Sequence, residues 1–271
     1  MENLIIVRGG GDLATGTIYK LVQCGFPVLV LEAEHPSAIR RNVALSEAVY
    51  QGRQQVENMT CYLAKDVAEA AALVADGKLA MLVDPKGESI EALKPLAVVD
   101  AILAKKNLGT HKKMAPITVA LGPGFEAGVD VDAVVETKRG HSLGKVYYAG
   151  KAIPNTGIPG IIGGCGKERV IHCPAAGILR NVRKITDTVK KGEVIAFVET
   201  AEGRVSVEAT LDGLLRGLIR DGYPVTKGFK IADIDPRAEE YDNCFTISDK
   251  ARCIAGGVVE AILHLRGNCH G

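Results

Sequence analysis

Three consecutive glycines, Gly9, Gly10 and Gly11, follow a short apolar run at residues 4–7, and Asp12 and Gly16 come next. A strand that turns through glycine into a helix presents backbone N–H groups to a phosphate. Glycine lets the backbone come close to such a group. The interval from Gly11 to Gly16 is similar to a nucleotide-triphosphate loop, but Thr17 stands where that loop needs a lysine. A dinucleotide-type cradle fits better. Glu32 ends the next apolar run, about 20 residues beyond the glycines, where an acid would hold a ribose 2′-hydroxyl. Gly9, Gly10, Gly11, Asp12, Gly16 and Glu32 are therefore candidate cofactor-binding residues.

A second glycine-rich turn carries Gly122, Gly124 and Glu126. It follows an apolar run at 117–121, so it is expected at the same carboxyl edge, where ligands bind in open α/β sheets. Asp100 interrupts another apolar run; a buried carboxylate there needs a cation or backbone N–H groups as partners. Arg139, Gly140 and His141 follow Glu136, Thr137 and Lys138. An arginine can grip phosphate through two parallel bonds, and a histidine can move protons near neutral pH. His141 is the one candidate catalytic residue. No Ser-His-Asp or Cys-His arrangement is readable from residue order, and no metal-ligand spacing occurs.

These residues need elements to position them. Residues 4–7, 28–31, 60–63, 79–83, 96–103 and 117–121 read as strands; 13–24 and 67–75 read as helices, with Asp12 able to cap the first and Gly25 able to end it. The 28–31 run is apolar throughout, as in a parallel strand covered on both faces. Alternating βα units imply right-handed crossovers and a Rossmann-like, doubly wound parallel sheet over 1–145.

After about residue 140 helical periodicity gives way to short β-rich runs at 145–148, 170–172 and 194–198. An internal repeat lies here. Pro174-Ala-Ala-Gly177-Ile-Leu179 is echoed by Thr210-Leu-Asp-Gly213-Leu-Leu215, Val189-Lys-Lys-Gly192 by Val225-Thr-Lys-Gly228, and Ile195-Ala196 by Ile231-Ala232, all at one interval. The pattern is similar to the barrel-sandwich hybrid of biotinyl and lipoyl domains. The segment joining the halves, residues 199–204, has no lysine, which argues against a swinging-arm carrier. A β-rich domain is expected over 146–240. A C-terminal helix is expected within 241–271, with Ile254, Val258, Ala261, Ile262 and Leu265 on one face.

The chain has 271 residues and a net charge of +1, with 47% hydrophobic and 24% charged residues. No global field favours nucleic acid or an anionic membrane, and 4% aromatic residues argue against base-stacking platforms. The N-terminal apolar run is too short for a signal-peptide core, and no stretch is long enough to span a bilayer. The expected location is the cytoplasm. The seven cysteines form no CxxC pair, which argues against a zinc ribbon or thioredoxin-type motif, and an odd count without a secretion signal suggests reduced thiols.

RGGGDLATGTIYKL, VLVLEAEHPSAIRRNVALSEAVYQG, VVDAILAKKN, ALGPGFEAG, ETKRGHSLGKV and PNTGIPGIIGG together resemble the YqeB-like proteins, accessory factors of selenium-dependent molybdenum hydroxylases. The first half is also similar to the Rossmann domain of XdhC-type maturation proteins. The resemblance implies a role in maturing a molybdenum hydroxylase client, with molybdopterin or its cytosine dinucleotide as cofactor. It places Gly9, Gly10, Gly11, Asp12 and Gly16 on one loop, Gly122, Gly124 and Glu126 on a second, and Arg139, Gly140 and His141 on a third. Cys165, within Gly163-Gly164-Cys165-Gly166, is the thiol to watch for sulfur or selenium transfer. Two other readings stay open: an oxidoreductase using NAD, for which Glu32 speaks, and a scaffold with a vestigial site. The expected partners are a phosphorylated small molecule, the client enzyme and a second copy of the chain, with no nucleic acid, membrane or metal.

Overall fold

The computed structural model describes residues 3–157, 160–161 and 163–268. The chain makes two compact units. Met1–Pro36, Ala44–Thr156 and Ile247–Gly271 form the first, and Ser37–Val43 with Gly157–Thr246 form the second.

The first unit contains β1 (Ile5–Arg8), α1 (Asp12–Gln23), β2 (Val28–Glu32), α2 (Ala48–Gln51), β3 (Arg53–Val56), β4 (Met59–Ala64), α3 (Val67–Ala75), β5 (Leu79–Val83), α4 (Ser89–Leu93), β6 (Ala97–Asp100), β7 (Ile117–Leu121), β8 (Glu126–Ala127), β9 (Ala133–Val135), β10 (Val146–Tyr147), β11 (Gly150–Lys151) and the C-terminal α5 (Asp249–Asn268). Nine strands form one sheet in the order β10-β9-β7-β6-β1-β2-β5-β4-β3. The interior strands pair in parallel; β3 and β10 close the two edges antiparallel.

Alternation along the strands sends Leu4, Ile6, Leu29, Leu31, Ala80, Leu82 and Val98 to one face, where Ala70 and Val74 of α3 and Ile90 of α4 cover them. α5 lies against α1 and against β7, β9 and β10. Both faces are covered, which is why β1 and β7 are buried at every position. Burying each such Val, Leu or Ile contributes about 1.5–3 kcal/mol.

Several sequence expectations shift. The strand expected over 96–103 stops at Asp100, and within the expected range Leu103, at a left-handed φ of +60°, cannot continue a ladder. The N-cap of α1 is Gly11; Asp12 is the first helical residue, and its carboxylate accepts from Leu13 N–H at 2.8 Å. The first unit runs beyond 145 to Thr156, because β10 pairs with β9 and β11 with β8. The segment 241–271 is not a separate piece: α5 belongs to the first unit and the turn Tyr241–Cys244 to the second. Ser248 caps α5 by accepting from Ala251 N–H at 3.2 Å.

The second unit contains β12 (Val170–His172), β13 (Gly177–Asn181), β14 (Thr188–Val189), β15 (Val194–Thr200), β16 (Gly203–Glu208), β17 (Gly213–Leu218), β18 (Pro224–Val225) and β19 (Lys230–Asp235). They form two four-stranded sheets, β12-β19-β17-β14 and β16-β15-β13-β18. The sequence repeat becomes an exchange of strands. β13 pairs with β15 and β17 with β19, while β14 of the first copy joins β17 and β18 of the second joins β13. Matched bonds mark the symmetry: Gly192 N–H to Ala209 and Gly228 N–H to Cys173, each at 2.8 Å. Both copies fill one core, with Leu179 and Leu215, Val189 and Val225, and Ile195 and Ile231 all buried. The turn joining β15 to β16 is the segment without a lysine.

Among the described residues, no helix is long and apolar enough to cross a membrane.

Candidate functional site at the carboxyl edge of the parallel sheet

The chain leaves β1 toward β2 on one side of the sheet and leaves β6 toward β7 on the other, so β1 and β6 are neighbours at which the connections diverge. In open α/β sheets the crevice beyond the carboxyl ends of such strands receives the ligand. The turns after β1, β7 and β9 carry Gly9–Gly11, Gly122–Gly124 and Glu136–Arg139 to this edge, and β2 and β6 end there on Glu32 and Asp100.

The glycines there do different jobs. Gly9, at φ +97°, lies against the chain after β6: an added Cβ would sit 3.0 Å from Ala101 O and from the Ile102 backbone. Gly124, at φ +111°, grips the same connection further on, and its Cβ would lie 2.7 Å from Lys106 N. Gly10 is packed against Ser46, whose N–H donates to Gly10 O at 2.8 Å. Gly122 is filled by the Thr137 side chain. Gly16 is a packing residue inside α1, where a Cβ would meet Ala251 Cβ of α5 at 2.7 Å. Only Gly11, of the four first-loop glycines, faces open space at the start of a 12-residue helix. Its amide end carries the positive pole of that helix, shared with the Asp12 carboxylate.

Glu32 fastens the first turn. Its Oε2 accepts from Gly10 N–H at 2.6 Å and its Oε1 from Ala33 N–H at 2.7 Å. Burial pushes the carboxyl above its ordinary range, partly offset by these two amides. The acid expected at a ribose is thus engaged with the loop itself.

Asp100 and Arg8 stand in register across β6 and β1, both almost fully buried. Arg8 Nη1 is 3.9 Å from Asp100 Oδ2, and Thr110 bridges them, accepting from Arg8 and donating to Asp100 at 2.5 Å. Arg8 Nη2 donates to Pro85 O at 2.9 Å. Burial pushes the Asp100 carboxyl up, against the Thr110, Ile102 and Arg8 contacts. The partners expected for a buried acid are present, and they tie three connections together.

The Arg139 turn is built on Glu136, which is wholly buried. Its Oε1 accepts from Lys138 N–H and its Oε2 from Ile153 N–H, both at 2.8 Å. Arg139 makes a two-pronged pair with Asp249 at the start of α5, at 2.9 and 3.2 Å. This bond raises the Arg139 pKa, so its charge is balanced within the protein. His141 is exposed on this turn. Lys250, one residue into α5, is partly buried. Burial and the nearby Arg139 lower its pKa, opposed by Asp12, Asp249 and Glu136.

Glu126 is not brought to this edge group: it starts β8, pairs across to β11 and makes an exposed ion pair with Lys151 at 3.2 Å. Cys165 belongs to the second unit. Cys61, Cys173 and Cys244 are buried, and Cys24 and Cys253 exposed. Among the described residues no group of His, Cys, Asp and Glu is arranged to hold a metal ion. Sequence reading missed Lys250, because a lysine at the start of a helix runs against the helix dipole and carries no motif. It also missed Thr110, which no pattern singles out.

No family model matches the chain. Among solved structures, it is similar to the ectoine utilization protein EutE (DoeB) of Ruegeria pomeroyi in its apo form, with 9% identity, 85% of each chain covered and a TM-score of 0.27. An aspartoacylase family protein of Mesorhizobium loti gives 12% identity, 87% and 85% coverage and a TM-score of 0.28. At these scores neither carries an argument about this chain. Over 265 residues the chain is 52% identical to the Escherichia coli (strain K12) protein described as "Uncharacterized protein YqeB", covering 97% of this chain and 48% of that protein. The chain therefore spans about half the length of the curated relative it matches.

Proposed function

We propose that the first unit binds a phosphorylated small molecule at the carboxyl edge of a Rossmann-like sheet. In this reading the chain is an accessory protein that holds molybdopterin, or its cytosine dinucleotide, for a selenium-dependent molybdenum hydroxylase. The observation that carries the binding site is Gly11: it stands at the divergence of β1 and β6, starts α1, and has nothing within 4 Å of where a Cβ would be. Anions are favoured at such a helix start. Ser46 adds support, since its Oγ is buried beside this turn without a hydrogen-bond partner.

The molybdenum part rests on the motif resemblance. When bound, the cofactor supplies the redox chemistry of the client enzyme. The residues of this chain would bind and orient it: the amides after Gly11 face its phosphate, and Glu32 and Glu136 hold the two turns in place. The second unit, read as a barrel-sandwich-like domain with no lysine at its hairpin tip, serves to dock the client and not to carry a group.

Native mass spectrometry of the chain purified from a molybdenum-replete host tests the proposal. A retained mass equal to a pterin phosphate or pterin dinucleotide is the expected result. A retained nicotinamide dinucleotide would favour the oxidoreductase reading. A bare chain that also fails to take up added molybdopterin would overturn the proposal.

A further inference from the structure

The second unit leaves one long strand edge open. β16 ends the sheet β16-β15-β13-β18, and with 6 residues it is the longest edge strand among the described residues. It is exposed at every position except Val207. An open edge of this kind is a template for a further strand. Its outward groups follow from the hairpin. The two-residue turn Ala201-Glu202 sets Thr200 opposite Gly203, and such a closing pair exchanges both of its hydrogen bonds. Alternation then gives the backbone groups of Val205 and Val207 to β15 and turns the N–H and C=O of Arg204 and Ser206 away from it. At the far end Ala209 N–H donates to Glu193 O, and Gly192 N–H donates to Ala209 O, each at 2.8 Å. The neighbouring Glu208 therefore also bonds outward. The register shift between Val194 and Ala196 falls on β15 and leaves β16 regular.

The charges on this edge complement themselves. Arg204 and Arg180 share the carboxylate of Glu199, at 3.1 and 2.8 Å, which leaves one positive charge unmatched. Glu208 is exposed and has no ion pair among the described residues. A two-fold axis at Ser206 lays two β16 strands antiparallel. Ser206 then faces Ser206 of the second copy, and Arg204 faces Glu208 of the second copy at both ends. All of these are outward-bonding positions, so every opposed pair can exchange both of its backbone bonds. Val205, itself 36% exposed, comes opposite Val207 of the second copy and is covered. Directly opposed side chains lie on one face within reach of each other. Of the registers that the bonding alternation allows, the axis at Ser206 is the one that sets Arg204 against Glu208. An axis at Arg204 or at Glu208 sets like charges together. The next longest edge, β3, reads Arg53-Gln-Gln-Val56 and has no acid to match its arginine.

We propose that two copies of the chain form a symmetric dimer by pairing their β16 strands antiparallel, which joins the two sheets into one. The contact is isologous, with the same residues contributed by both copies. It stands independently of the phosphate site in the first unit. It also gives the lysine-free hairpin a use: β15 and β16 present an edge for assembly in place of a side chain for modification.

Sedimentation equilibrium of the full chain tests this. Wild type should show a monomer–dimer equilibrium. Ser206→Pro removes an outward N–H and keeps every bond to β15, a change that an edge strand tolerates. Its dimer dissociation constant should rise at least about tenfold. Arg204→Glu and Glu208→Arg each oppose like charges at both ends of the contact, and each should weaken self-association by at least about tenfold. Mixed in equal amounts, these two variants should dimerise close to wild type, because each strand again meets the opposite charge. This recovery needs no proline variant, so it decides the question even if Ser206→Pro does not fold. A wild type that stays monomeric at its highest soluble concentration would overturn the proposal and leave the edge to a strand of another protein. Undiminished dimers in the single variants would overturn it by placing the contact elsewhere. Failure of the mixture to recover would overturn the pairing of Arg204 with Glu208.

Discussion

The amide of Gly10 donates to Glu32 Oε2 across 2.6 Å, which fastens the first glycine turn to the end of the neighbouring strand. Burial raises the Glu32 pKa in spite of this bond and that from Ala33. The folded protein therefore keeps the Glu32 proton to higher pH than the unfolded chain does. The stability from this group is complete below the ordinary carboxylate value of about 4.3. It falls as pH rises through the raised folded value. Glu32→Gln removes the titration and leaves one amide without its acceptor, at about 1 kcal/mol. Urea unfolding across the acid-to-neutral range should give a falling wild-type curve and a flatter variant curve. Parallel curves would mean that Glu32 does not titrate there.

Arg8 and Asp100 form a buried pair through Thr110, so removing one partner strands the other. Arg8→Met is expected to cost about 3–5 kcal/mol. The cost should shrink as pH falls, since a protonated Asp100 no longer needs a cation. Adding Asp100→Leu should recover part of the loss, and a double-mutant cycle measures the coupling. Additive effects of the two substitutions would show that the pair is not coupled.

Gly11 and Gly16 lie in one motif and should respond differently to alanine. At Gly16 a Cβ collides with Ala251, and overpacking of this kind costs about 1–3 kcal/mol. At Gly11 the added methyl meets nothing and φ is an ordinary −64°, so stability should change by no more than about 0.5 kcal/mol. Thermal unfolding of the two variants gives the comparison. A Gly16→Ala protein as stable as wild type would contradict the close packing of α1 on α5.

The repeat in the second unit carries one strained position. Thr186 has φ +91° and donates its N–H to Leu215 O at 2.9 Å; in the other copy Gly222, at φ +76°, donates to Leu179 O at 2.8 Å. A β-branched residue in the left-handed region is an outlier that glycine relieves. Thr186→Gly should stabilise the chain by about 1 kcal/mol, the strain relieved exceeding the entropy that glycine loses. Denaturant unfolding with an unchanged slope and a higher midpoint is the expected result. Destabilisation would show that Thr186 is not strained.

Much of the sheet was legible because its strands are buried on both faces and read as unbroken apolar runs; Leu79–Val83 and Ile117–Leu121 fall where their composition puts them. β3 was not legible, since Arg53–Val56 is a polar edge strand fixed by its pairing with β4. The repeat was visible as spacing, whereas the exchange of β14 and β18 depends on long-range pairing that no local pattern records. At the carboxyl edge, the turn of Gly9 to Gly11 and the strand end at Glu32 were legible from their turn chemistry. Their roles were not, because a glycine that admits the protein's own backbone looks the same in sequence as one that admits a phosphate. Glu136 and Lys250 act through residues far away in the chain, such as Ile153 and Asp12.

The central claim is that a phosphate group meets the turn between β1 and α1. Amide chemical-shift mapping of the isotope-labelled chain during titration with pyrophosphate tests it residue by residue. The expected result is saturable movement of the Gly10, Gly11, Asp12 and Leu13 amides, with the second unit unmoved. Saturable shifts confined to the second unit, or no saturable shift anywhere, would contradict the claim.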